Sequence, residues 1–206
     1  MYTNFFENFF SFCCIIGLFP LLSYAGMAVK PLILKIYEDH FLPLNNSLED
    51  ALDGLLPALL CGMEEGSDVY IRSTTLLTSI KVCVTPEIFW TKLWDSMTLS
   101  ICRLPAINYM LQENYVPQEP QQILSYLLDC LSDVNILTQR SALELINTWN
   151  MENWDSNVRV EIMAGAMSTL LRRDVSLNRR FYNMVIGEDE TMDQALVEVR
   201  KKTYIF

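Results

Sequence analysis

Leu171-Arg172-Arg173-Asp174-Val175-Ser176-Leu177-Asn178-Arg179-Arg180-Phe181-Tyr182 reads as the end of one helix, a tight connection and the start of another. Four of the chain's 15 lysines and arginines fall between Arg172 and Arg180, in a protein whose net charge is −10. The spacing predicts a helix over Ser156–Arg173, with Arg172 and Arg173 at its end, where positive charge complements the free carbonyls of the last turn. Ser176 is then the expected cap of the next helix. That puts Arg179 and Arg180 in a first turn, where the helix dipole disfavours them, so these arginines answer to something else. Two readings stay open. Asp174 and neighbouring carboxylates can pair with them across the turn and pin two helices together through bidentate bonds. Alternatively, Arg172, Arg173, Arg179 and Arg180 form a docking point for an anion, either a phosphoinositide head group or an acidic partner.

Outward from this corner the chain reads as helix after helix. Leu48, Leu52, Leu55, Leu56 and Leu59 recur at three-to-four spacing, which places them on one helical face. Leu76, Leu77, Ile80 and Val84 do the same, as do Ile123, Leu124, Leu127, Leu128 and Leu131, then Ala142, Leu145, Ile146 and Trp149. A fifth stripe is Met163, Ala166, Met167, Leu170 and Leu171. No stretch alternates apolar and polar residues long enough for a strand. The connections carry helix-starting chemistry: Gly66-Ser67-Asp68 offers an N-cap, Thr85-Pro86-Glu87 a cap followed by proline, and Asp155-Ser156 another start. Val116-Pro117 to Pro120 is the clearest break. About nine or ten helices joined this way predict an all-α, armadillo/HEAT-like solenoid segment of stacked helix pairs, without a strict sequence period. One helical domain over residues 1–187 is expected, followed by a tail, 188–206, that frays from a final helix.

A chain of 206 residues can bury a substantial core, and 51% apolar against 19% charged residues is a globular balance rather than a disordered one. A pI near 4.5 argues against a nucleic-acid binder, because phosphates would be repelled over most of the surface. The six cysteines, Cys13, Cys14, Cys61, Cys83, Cys102 and Cys130, form no CxxC pair and lie mostly in apolar runs, so they read as reduced core residues.

Mean hydropathy is +0.19, and the excess sits at the N-terminus. From Phe9 to Val29 there is no charged residue. That length can span a bilayer or serve as a signal peptide, but no basic residue precedes it, and Gly17 and Pro20 interrupt it. A buried helix pair is the leading expectation. The alternative is a small integral membrane protein anchored by Phe9–Leu22 with a helical domain beyond it.

No set of residues suggests catalysis. Glu64, Glu65 and Asp68 lack the spacing of a calcium loop, and carboxylates catalyse as a pair only when they face each other across a cleft. His40 beside Asp39 has no second histidine for a metal and no nucleophile motif to orient. There is no glycine-rich phosphate loop, so neither a small-molecule substrate nor a cofactor is expected. Asn45-Asn46-Ser47 fits the glycosylation pattern, which matters only on a luminal face. Phe89, Trp90 and Trp94 fit packing between helices better than a lipid or base platform.

Several short blocks in fixed order resemble the N-terminal domain of the Dopey family: Gly17-Leu-Phe-Pro-Leu-Leu22, Gly54-Leu-Leu-Pro57, Gly62-Met-Glu-Glu-Gly-Ser67, Arg103-Leu-Pro-Ala106, Asn135-Ile-Leu-Thr-Gln-Arg-Ser141 and Leu171–Tyr182. The resemblance runs from about residue 17 to 187. It implies a non-enzymatic scaffold, peripheral on Golgi and endosomal membranes and active in endosome-to-Golgi retrograde transport. It also implies a partner, a large helical-repeat scaffold related to Arf exchange factors, and contact with anionic, phosphoinositide-bearing membrane. Family members are far longer. On this view Met1 begins partway into the domain, and Phe9–Leu22 is an interior helix whose covering neighbours are elsewhere.

Overall fold

A computed structural model describes residues 21–22, 24–63 and 68–186. Most of the Phe9–Leu22 segment, Cys13, Cys14, Glu64, Glu65, the expected cap at Ser67 and the tail 188–206 lie outside these residues. All regular structure among the described residues is helical. The chain falls into two compact units that part between Tyr109 and Met110.

The first unit begins with α1 (Lys30–Ile36), which passes through a π-helical turn, Tyr37–Phe41, into a 3₁₀ stretch, Leu42–Ala51. Asn45, at φ 49° and ψ −125°, kinks that stretch. Then follow α2 (Leu52–Cys61), α3 (Asp68–Cys83), α4 (Pro86–Ser96) and α5 (Ser100–Gln112), the last carrying the point of division. α1 packs on α3, and α2 packs on α4. The predicted stripes face inward here: Leu48, Leu52, Leu55, Leu56 and Leu59 are buried, as are Leu76, Leu77, Ile80 and Val84. Phe89 and Trp94 are buried too, and Phe89 meets Trp90 and Tyr109 edge-on at centroid distances of 5.2 and 6.2 Å. The aromatic set is packing, as its spacing indicates.

Polar ties fasten these helices. Arg72 on α3 reaches back to Glu38, Lys92 on α4 lies 2.9 Å from Asp53 on α2, and Glu49 accepts from both the backbone N–H and the hydroxyl of Thr85. The last tie corrects an expectation. Thr85 occupies the N-cap position of α4, but its side chain makes no cap bond; its hydroxyl donates instead to the Glu49 carboxylate at 2.6 Å, which holds the side chain toward Glu49. A charged acceptor is the stronger partner. Cys102 is buried and its Sγ lies 3.5 Å from that of half-buried Cys61; both are free thiols, as are Cys83 and Cys130.

The second unit holds α6 (Pro120–Leu131), α7 (Ile136–Asn147), α8 (Ser156–Ser168), a 3₁₀ turn Thr169–Arg172 and α9 (Val175–Ile186). α6 and α7 pack as a hairpin, α6 packs on α8, and α7 packs on α9. Packing of each helix on the next but one, seen in both units, is the two-layer stacking of an armadillo/HEAT-like segment. Asp155 caps α8 as expected, accepting from Asn157 N at 2.8 Å. Asn135 caps α7 through Leu137 N at 3.0 Å. Trp149 closes the α7 end, its indole N–H donating to the Tyr115 carbonyl at 2.8 Å. Gly165 lets α8 approach α6, since a Cβ there would meet the Leu128 side chain at 2.7 Å.

The fifth apolar stripe is only partly an inner face. Met167 is 57% exposed and Leu171 84% exposed. The buried face is instead Val158, Ile162, Ala166 and Thr169. The helix also ends earlier than predicted, because it tightens to 3₁₀ geometry at Thr169 and turns Leu171 outward.

Candidate functional site

The arginine corner is built by the end of α8, the start of α9 and the α6–α7 connection. After the 3₁₀ turn, Arg173 adopts a left-handed conformation (φ 56°, ψ 28°), and its N–H donates to Leu170 O at 3.1 Å. Such a residue stops a helix by reversing its chain direction, and glycine is the usual occupant. Asp174 then caps α9: its Oδ1 accepts from Ser176 N at 2.9 Å, from Leu177 N at 3.0 Å and from the Ser176 hydroxyl at 2.7 Å. The expected cap, Ser176, therefore serves as a donor to the true one. The cause is again charge, since a carboxylate accepts from the first-turn N–H groups more strongly than a hydroxyl. Those bonds, with the nearby Arg140 guanidinium, hold the Asp174 carboxyl at about 2, well below its usual range; the Ser176 hydroxyl contributes most.

Because α9 starts at Val175, Arg179 and Arg180 sit in its second turn, beyond the strongest part of the dipole. The four arginines divide into two kinds. Arg172 donates to the carbonyls of Asp133 at 2.6 Å and Val134 at 3.2 Å, tying the corner to the α6–α7 connection. Arg180 binds Glu144 on α7, its Nε and Nη2 both 2.6 Å from Oε1. Arg173 and Arg179 are exposed, and their side chains make no hydrogen bond or ion pair among the described residues. Asp174 does not take an arginine of the cluster; it pairs with Arg140 of α7 at 3.3 Å.

Arg140 and Glu144 were not foreseen as partners. They stand one turn apart on α7, and α9 packs against that face. Beside the corner, Leu131, Ser132, Gln139, Ser168, Leu171 and Arg172 line an open cleft of about 330 Å³. Gln139 is buried on its wall; Nε2 donates to Leu131 O at 2.9 Å, while Oε1 has no partner. Of the other residues considered for chemistry, Glu64 and Glu65 lie outside the described residues. His40 is exposed in the π-helical turn. No group of three or more His, Cys, Asp or Glu side chains able to hold a metal occurs among the described residues.

Comparison with known proteins gives the corner its family. The Dopey N-terminal model matches residues 7–190. The protein DOP1B of Xenopus laevis is 36% identical over 196 residues, covering 84% of this chain and 9% of the relative. DOP1B of Mus musculus is 37% identical over 206 residues, covering 89% of this chain and 9% of the relative. The DOP1 homolog of Drosophila melanogaster is 38% identical over 188 residues, covering 84% and 7%. The chain thus spans less than a tenth of the length of these curated relatives. No solved structure matches it. With the family model over most of its length and three such relatives, the chain belongs to the Dopey family.

Proposed function

We propose that this chain is a non-enzymatic scaffold segment in endosome-to-Golgi retrograde transport, acting by binding protein and anionic membrane surface. Its place would be the cytosol and the outer face of Golgi and endosomal membranes. Its partner would be a large helical-repeat scaffold related to Arf exchange factors. Family membership supports the scaffold reading. The observation that supports the anion-binding part is the split within the cluster: Arg172 and Arg180 are used by the fold, while Arg173 and Arg179 are exposed and unpaired. Exposed arginines that the fold does not employ are available to phosphate or carboxylate.

Among the described residues no helix is long and apolar enough to cross a membrane. The test is sedimentation with phosphatidylcholine vesicles carrying a phosphatidylinositol phosphate, together with the site of the tagged chain in cells. Salt-sensitive vesicle binding that Arg173→Glu with Arg179→Glu removes, and Golgi or endosomal signal released by alkaline carbonate, are the expected results. Carbonate-resistant membrane association would instead select the anchored reading. Diffuse signal with no vesicle binding would dispose of the membrane role.

A further inference from the structure

We propose that the corner between the α6–α7 connection and the α8–α9 connection docks a short acidic, apolar peptide segment of a partner protein. The proposal rests on the scaffold reading above and names the chemistry of the partner. Its first support is apolar surface that the fold leaves in water. Val134 is 86% exposed, Leu171 84% and Val175 77%. Arg172 gathers them: by holding the carbonyls of Asp133 and Val134 it brings the backbone beside Leu171 against the α6–α7 connection. Aliphatic tips clustered on neighbouring turns mark an interaction site more often than isolated exposed residues do.

The second support is charge. The corner's carboxylates are already matched, Asp174 by Arg140 and Glu144 by Arg180. Arg173, flanked in sequence by Leu171 and Val175, keeps an exposed positive charge that no carboxylate matches among the described residues. It does so in a left-handed conformation that glycine would adopt with less strain. The complementary ligand carries a carboxylate next to an aliphatic side chain.

The third support is the cleft. Leu131 and Leu171 give it apolar walls. A peptide supplies an aliphatic side chain for the leucines and a carboxylate for Arg173. The head-group layer of a bilayer does not follow a concave wall, whereas a single peptide side chain enters it. The observations therefore favour a peptide at Arg173 and the cleft, and leave the membrane contact to Arg179.

The experiment titrates the whole chain into a fluorescein-labelled peptide, acetyl-Glu-Asp-Leu-Glu-Asp-Leu-amide, and into its lysine counterpart, acetyl-Lys-Lys-Leu-Lys-Lys-Leu-amide. Anisotropy is read at physiological salt. Saturable binding of the acidic peptide alone is expected, weakened about tenfold or more by Leu171→Asp and by Arg173→Gly. Arg173→Gly separates binding from folding, because glycine relieves the left-handed backbone and the melting temperature should hold or rise as affinity falls. Both variants are run in parallel against the phosphoinositide vesicles. Absence of peptide binding, or peptide binding that neither variant weakens, overturns the proposal. If vesicle binding survives in that event, the membrane part of the proposed function stands without it. If instead both variants lose vesicle binding and no peptide binds, the corner is a membrane surface and the peptide inference is wrong.

Discussion

Arg72 holds Glu38 through both carboxylate oxygens, Nε to Oε1 at 2.9 Å and Nη2 to Oε2 at 2.6 Å, while Nη1 donates to the Pro31 carbonyl at 3.0 Å. One guanidinium thus joins α3 to the start of α1 and to the π-helical turn that follows it. Both side chains are about one-third exposed, so solvent screens the pair. A double-mutant cycle of Arg72→Ala and Glu38→Ala should give a coupling of about 0.5–1 kcal/mol by denaturant unfolding. Arg72→Ala alone should cost more than Glu38→Ala, since it also abandons the Pro31 carbonyl. Equal single costs with no coupling would show that the fork is ornamental.

Tyr37 carries a hydroxyl that the fold does not use. The ring is buried and meets Phe41 edge-on at 5.7 Å, yet its oxygen has no partner. Burial pushes the phenol up to about 12. Removing the hydroxyl in Tyr37→Phe should therefore stabilise the protein by about 1 kcal/mol, the desolvation penalty of an unpaired polar group. The pH sign follows from the raised value. The folded state keeps the proton after the unfolded state has lost it, so stability is full below the ordinary tyrosine value and declines as pH rises from about 10 to about 12. Tyr37→Phe should lessen that alkaline decline, as read from urea midpoints at stepped pH.

Asp174 acts at the opposite end of the scale. Its carboxyl is held at about 2 by the Ser176 hydroxyl, the Leu177 N–H and Arg140, so the cap is intact above the ordinary aspartate value and weakens as pH falls toward 2. Asp174→Asn keeps a capping oxygen and drops the charge. It should lower the melting temperature at pH 7 and flatten the acid-side decline between about pH 4 and pH 2. An unchanged acid profile would mean that Asp174 titrates alike in both states.

The thiol pair gives a chemical readout. Hydrogen bonding with Cys61 and burial both push the Cys102 thiol above its ordinary range, and the thiolate is the reactive form. Native alkylation with iodoacetamide should spare Cys102 and buried Cys130 until denaturant is added, and modify half-buried Cys83 first. Early labelling of Cys102, read by peptide mass spectrometry, would show that α5 opens there.

Most of the fold was legible because helical periodicity reports which side of a helix turns inward. Leu48 to Leu59, Leu76 to Val84 and Ala142 to Trp149 lie where their spacing puts them. The exceptions are places where a neighbour in space outbids a neighbour in sequence. Thr85 looks like a cap until Glu49, 36 residues away, takes its hydroxyl. Met167 and Leu171 fit an apolar stripe until the winding tightens at Thr169 and rotates Leu171 to the surface. In the candidate site, the helix corner was readable from Arg172 to Arg180. Which arginine is employed and which is free was not, because Asp133 on the α6–α7 connection and Arg140 and Glu144 on α7 reach the corner only through tertiary packing. No repeat period was visible either, since a stack needs only matching faces and not matching letters.

The ties supply that period. Arg72 to Glu38 spans 34 residues, Thr85 to Glu49 36, Lys92 to Asp53 39, Trp149 to Tyr115 34, Arg140 to Asp174 34 and Arg180 to Glu144 36. Each fastens a helix to the one a single pair earlier, like a stitch that catches only the row below. Under tension, each unit should therefore yield row by row, with short steps of extension rather than one rupture, and should knit again from whichever row stays closed.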